Sequence, residues 1–125
     1  MSLMEIEINN TVYKFRFGMG FLRDIEKEQK EIVKMGVSQE VGLVYTVADM
    51  MDGSVIAMYK LLNIANKTET PRISQKTLDA YLEDEGTDLE ALKDEIMSFL
   101  SQSNVCKSKI AQMMTTLQAN EKPNE

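Results

Sequence analysis

The side chains whose types could do chemistry gather in one stretch, where Glu83, Asp84, Glu85, Asp88 and Glu90 crowd around Gly86. Hard cations want several oxygen ligands, so calcium is the first chemistry to test. Placing Gly86 at the sixth position of an EF-hand loop puts Tyr81 first and Leu92 twelfth, where acids are required, and the spacing refuses it. Paired carboxylates could serve a hydrolase, but nothing in the sequence adds a substrate cleft. The cluster reads instead as acid enrichment around a helix N-terminus, where the helix dipole favours negative charge. Gly18-Met19-Gly20 resembles the start of a dinucleotide loop, yet Arg23 stands where the third glycine belongs and no βαβ unit follows. Cys106 is the only cysteine and histidine is absent. An internal disulfide is therefore excluded, as are Ser-His-Asp and Cys-His catalysis, and the commonest zinc ligand is missing. The expectation is a protein that is not an enzyme, with no catalytic, cofactor-binding or metal-binding residues and no cofactor.

Such a protein works by binding, and its 125 residues fit one compact domain that buries roughly two-thirds of its unfolded surface. A formal charge of −6 disfavours the phosphate neutralisation on which nucleic-acid binding depends and favours basic or neutral partners. The longest apolar runs, Val41 to Met51 and Gly53 to Leu62, fall short of the roughly 20 residues a membrane helix needs. Neither nucleic acid nor membrane is an expected partner, and a lone cysteine suits the reducing cytoplasm.

The elements follow from periodicity. Met1-Ser2-Leu3 reads as an expression leader before a natural start at Met4. Met4, Ile6, Ile8 and then Tyr13, Phe15 and Phe17 alternate on either side of Asn9-Asn10, whose tolerance of positive φ makes a two-residue turn. That register sets Ile6 opposite Tyr13, Met4 opposite Phe15 and Glu5 opposite Lys14. A lone ribbon is marginal in water, so its apolar face must lie on helices. After Gly18 and Gly20 a helix is expected with Phe21, Leu22, Ile25, Ile32 and Val33 inward, and with Glu26–Lys30 and Lys27–Glu31 pairs on its wet face. Gly36 would end it, and Ser38 would cap a second helix with Val41, Val44, Val47, Ala48 and Met51 on one side. Asp52-Gly53-Ser54 breaks the chain. From Ser54 a helix apolar on most of its circumference, with Lys60, Asn63 and Lys67 as its polar edge, belongs in the middle.

The polar loop Asn66 to Arg72 leads to Ser74 as a cap, with Ile73 and Leu78 placed as a hydrophobic staple and Leu78, Tyr81 and Leu82 inward. Gly86 is expected in the left-handed conformation and Thr87 with Glu90 as a capping box. Leu89, Leu92, Ile96 and Phe99 then form one apolar stripe. Ser101 to Asn104 reads as a break before a final helix carrying Cys106, Ile110, Met113 or Met114, and Leu117, although one helix from Asp88 to about Gln118 also fits the spacing. The domain spans 4–118, with 119–125 as a disordered tail. The fold class is α+β and mostly helical: an N-terminal hairpin on a bundle of about five or six helices.

Ten methionines occur, most of them on core stripes. Met113 and Met114 stand on a terminal helix whose packing partner is not obvious from sequence, and adaptable methionine-rich surfaces suit varied apolar partners. Ile110, Met113, Met114 and Leu117 are therefore the candidate partner-binding residues. The competing reading folds this helix back onto the domain. Self-association follows if it finds no internal partner.

Three runs carry a family likeness: YKFRFGMGFLRDIEK; GLVYTVADMMDGSVIAMYKLLNIANKT with PRIS after it; and LDAYLEDEGTDLEALKDEIMSFL. Together, from Met4 to about Ser103, they resemble the tail assembly chaperones of long-tailed phages and prophages of Gram-positive bacteria, the segment YLEDEGTD being the most distinctive. The resemblance implies a non-enzymatic protein of the host cytoplasm that holds the tape-measure protein, and tube subunits, until the tube polymerises, and that is absent from the finished virion. Such proteins often occur in a short form and a frameshifted longer one. Other classes to weigh are a structural tail component kept in the particle and a small acidic regulatory or antitoxin-like module.

Overall fold

The computed structural model describes residues 3–27, 30–32 and 38–121, with side chains described for 3–27 and 41–116. Strands β1 (Leu3–Ile8) and β2 (Thr11–Arg16) form the expected hairpin. Asn9 and Asn10 take φ of 53° and 66°, a two-residue turn whose twist matches that of the strands. Met4 pairs with Phe15, Glu5 with Lys14 and Ile6 with Tyr13, in the register read from the sequence. Leu3, read as part of a leader, is already in β1 and pairs with Arg16. One face of the ribbon, including Met4, Ile6, Ile8 and Phe15, is buried. It lies on α3 (Val55–Asn66) and α5 (Leu89–Gln102), which supply the support a two-stranded ribbon lacks.

Helix α1 (Met19–Glu26) buries Phe21 and Ile25, and Phe17 meets Phe21 edge-on at 5.0 Å. It stops well before the expected end. Lys30–Ile32 is instead strand β3, paired antiparallel with β4 (Ser38–Glu40). Ile32 therefore does not continue the helix, Ser38 is not a cap, and Val33 and Gly36 lie outside the described residues. The cause is tertiary. Helix α2 (Gly42–Met51) enters so close to the last turn of α1 that a Cβ on Gly42 would come within 1.8 Å of the Ile25 carbonyl oxygen. The next turn of α1 would need that space.

Helix α2 buries Leu43, Thr46, Val47 and Met50. The expected face was one residue out of phase: Val41 and Val47 are buried, while Val44, Ala48 and Met51 are only half-buried. Gly53, at φ 105°, ends the break as expected, and Ser54 Oγ accepts the Ala57 N–H at 3.1 Å to start α3. Helix α3 is the central one, with Leu61, Leu62 and Ala65 fully buried. Its first turn departs from expectation, because Val55 and Ile56 face outward.

At the other end of α3, Asn66 is fully buried rather than part of a wet loop. Its Nδ2 donates to the carbonyls of Lys14 and Pro71 at 2.9 and 3.1 Å, and its Oδ1 accepts from Ile73 N–H and the Arg72 guanidinium at 2.7 and 2.9 Å. Two donors and two acceptors all find partners, so the side chain welds β2 to the loop before α4 (Gln75–Glu83). Nearby, Arg16 meets Glu69 at 3.0 Å and Lys67 meets Asp24 at 2.9 Å. The Lys67 hydrogen bond lowers the Asp24 pKa; burial tends to raise that of Glu69, but hydrogen bonds from Thr68 and Arg16 outweigh it and hold it below the usual range.

Ser74 caps α4 through Thr77 N–H as expected, and Ile73 and Leu78 are both buried. The turn into α5 differs in detail. Gly86 is not left-handed, and the cap is Asp88, whose carboxylate accepts Ala91 N–H at 3.0 Å. Thr87 lies one residue before this cap, and its hydroxyl instead donates to the Tyr81 carbonyl at 2.7 Å. Leu92, Ile96 and Leu100 form the buried stripe of α5, with Leu89 and Phe99 at its margins. The break at Ser103 is real: Ser103 Oγ donates to the Phe17 carbonyl at 2.6 Å, and α6 (Lys107–Glu121) starts afresh. Six helices and an N-terminal hairpin among the described residues confirm the α+β class.

The closest backbone approach makes a sharp test. Gly42→Ala forces α1 and α2 apart, and an overpacking cost of about 3 kcal/mol is expected in urea unfolding; a change below about 0.5 kcal/mol would contradict the close crossing.

Candidate functional site

Helix α2 has no side chain of its own at its start, since its N-cap is Val41. The acceptor comes from α1. Glu26 is only 4% exposed, and its Oε1 accepts the Leu43 N–H at 2.9 Å. A carboxylate at that position also benefits from the helix dipole, so Glu26 acts as an N-cap supplied across the fold. Its Oε2 accepts from Lys109 Nζ on α6. One carboxylate thus joins α1, α2 and α6. The sequence reading placed Glu26 on a wet face in a pair with Lys30; the available signal was its position four residues after Leu22, on the same side of α1.

Around this junction α6 folds back onto the domain. Cys106, Ile110 and Met113 are buried at 0, 1 and 7% exposure, packing with α5 and α2, and Met114 is half-buried. Of the four sequence-predicted partner residues, the structure therefore brings Ile110 and Met113 into the core, leaves Met114 at its margin, and Leu117 falls outside the described side chains. The condition attached to self-association, a last helix without an internal partner, is not met. Burial pushes the Cys106 thiol pKa up, with Ser103 and Lys109 opposing and Glu26 adding to it.

A second surface was missed. Val44, Tyr45 and Ala48 of α2 face Lys109, Gln112, Met113 and Thr116 of α6 across an open groove of about 330 Å³. Helix α2 is apolar on two sides. One side, Leu43, Thr46, Val47 and Met50, enters the core; the other, Val44 and Ala48, floors the groove. Periodicity alone merged the two into a single stripe.

The acidic turn carries no comparable structure. Glu83, Asp84, Glu85, Asp88 and Glu90 are exposed. Asp84 and Asp88 accept backbone N–H groups and Glu90 pairs with Lys93 at 2.9 Å. Among the described residues no cluster of histidine, cysteine and carboxylate side chains could hold a metal, and no helix is long and apolar enough to cross a membrane. No buried side-chain polar atom among them lacks a hydrogen-bond partner.

The described residues thus form an acidic helical domain with an apolar groove between α2 and α6. The chain matches the model of a family described as phage tail assembly chaperone protein, TAC, over residues 5–115, and it belongs to that family. The match runs past Ser103 and takes in most of α6, beyond the reach of the resemblance read from the sequence. No curated protein and no solved structure matches the chain. As a family member it acts as a chaperone in tail assembly and binds tail proteins.

Removing the shared carboxylate tests the junction. Glu26→Ala orphans the Leu43 N–H and is expected to cost about 2–3 kcal/mol of unfolding free energy. Glu26→Gln keeps an acceptor for Leu43 but no charge for Lys109, and should cost about half as much. Equal stability of all three proteins would contradict the cap.

Proposed function

We propose that this chaperone holds the tape-measure protein, with tube subunits as a second client, during assembly of a long-tailed phage or prophage of a Gram-positive bacterium. It works in the host cytoplasm without making or breaking a bond, and leaves before the virion is complete. The observation that supports this reading most is the α2–α6 groove. A long helical client exposes apolar stripes before the tube encloses it, and an adaptable groove lined by Met113 can cover such stripes reversibly. The net charge of −6 keeps chaperone copies apart and favours basic segments of the client.

Ile110 and Met113 support α6 from inside the core, so polar substitutions there would damage the fold before reporting on binding. The half-buried floor is the better target. Val44→Glu and Ala48→Glu together should leave the circular dichroism spectrum unchanged yet lower the soluble yield of co-expressed tape-measure protein several-fold. Full yield with an intact fold would move the binding face elsewhere. Purified virions analysed by mass spectrometry should lack the chain; finding it at a fixed stoichiometry would instead make it a structural tail component.

A further inference from the structure

The seat of α6 describes the kind of helix it accepts. Cys106, Ile110 and Met113 enter the core at positions i, i+4 and i+7, and Lys109 at i+3 reaches Glu26. The opposite side of α6, including Ser108, Ala111 and Thr115, is exposed, while Gln112 and Thr116 line the groove toward α2. The helix is joined to α5 by a turn whose Ser103 is tied to the Phe17 carbonyl. Movement about that turn would leave the tie to the hairpin intact. It would also leave Glu26 with its bond to Leu43 N–H, while the second carboxylate oxygen exchanges lysine for water. A carboxylate that gains hydration on opening offsets part of the apolar cost of lifting Ile110 and Met113. The Lys109 side chain is already 40% exposed, so its half of the ion pair is cheap to release.

We propose that α6 is a displaceable stand-in for the client: a client helix with apolar side chains at i, i+4 and i+7 and a lysine or arginine at i+3 takes the same seat, and α6 swings out about the Ser103–Cys106 turn. This rests on the reading that the protein holds a helical client. It adds the sequence chemistry of the client segment and a closed state that covers the seat when no client is present. Such a lid protects the apolar seat from self-association in the same way that the chaperone protects its client. The surface charge of the domain selects for the basic residue, because a helix with a carboxylate at i+3 would face Glu26 directly.

Cys106, buried at the start of this helix, reports its release. The full-length protein is treated with excess thiol reagent across a urea series. Labelling at low urea should be faster than global unfolding allows and only weakly urea-dependent. Lys109→Ala should speed it about tenfold, the loss of a charge-assisted hydrogen bond, and lower the global folding equilibrium by a similar factor while labelling keeps its weak urea dependence, whereas Lys109→Arg should label at the wild-type rate. A synthetic peptide of residues 104–121 carrying C106S should accelerate labelling saturably, and the same peptide with K109E should not. Labelling that follows global unfolding with the same urea slope in every variant would overturn the proposal, as would an unchanged rate at saturating peptide. Since no tail protein enters this experiment, its failure removes the lid and leaves tape-measure capture to be judged by co-expression.

Discussion

The Glu26 carboxylate is the constraint on which the α2–α6 end of the domain depends. It completes the start of α2, where no local side chain can do so, and it meets Lys109 of α6 with its other oxygen. Leaving either bond unmade would strand a buried charge or a backbone donor, so the two bonds fix where α1 ends, how α2 is rotated and where α6 lies. Gly42 allows this by bringing the α2 backbone against the Ile25 carbonyl. The rotation of α2 then decides which of its two apolar sides is core and which is left to floor the groove.

The opposite end is held differently. There Asn66 and the Arg16–Glu69 and Lys67–Asp24 pairs bind the hairpin and α1 to the end of α3. That end reads as a fixed scaffold, with its buried amide fully satisfied. The α2–α6 end combines a half-exposed ion pair with methionine packing, which tolerates rearrangement better than branched side chains do. The proposed capture of helical segments would use such a division into one rigid and one adaptable end.

Local signals carried most of the architecture. Asn9-Asn10 dictated the hairpin and its register, Ser54 and Ser74 marked their helices, the apolar girth of α3 marked it as central, and Ser101 to Asn104 marked the last break. What could not be read locally was set by contacts between distant residues. Nothing near Ser38 announces that α2 will be capped by a carboxylate from α1, and nothing near Lys30 shows that the α1 pattern is interrupted by α2. Thr87 looked like a cap, but the helix starts one residue later on Asp88, and the Thr87 hydroxyl turns back to the Tyr81 carbonyl. The candidate site was half legible: α6 was singled out as the helix of interest, but Ile110 and Met113 are its anchors in the core, and the groove residues on α2 were hidden in a stripe assigned wholly to the core.

The central claim is that a helical tail protein is bound at the α2–α6 end of the domain. Hydrogen–deuterium exchange of the chaperone alone and in complex with the tape-measure protein tests it most directly. The account predicts slower exchange in α2, a change in α6 that is protection where the client fills the groove and faster exchange where it displaces the helix, and little change in the hairpin or α4. Protection centred on the hairpin or on the acidic turn before α5, with α2 and α6 unaltered, would contradict it.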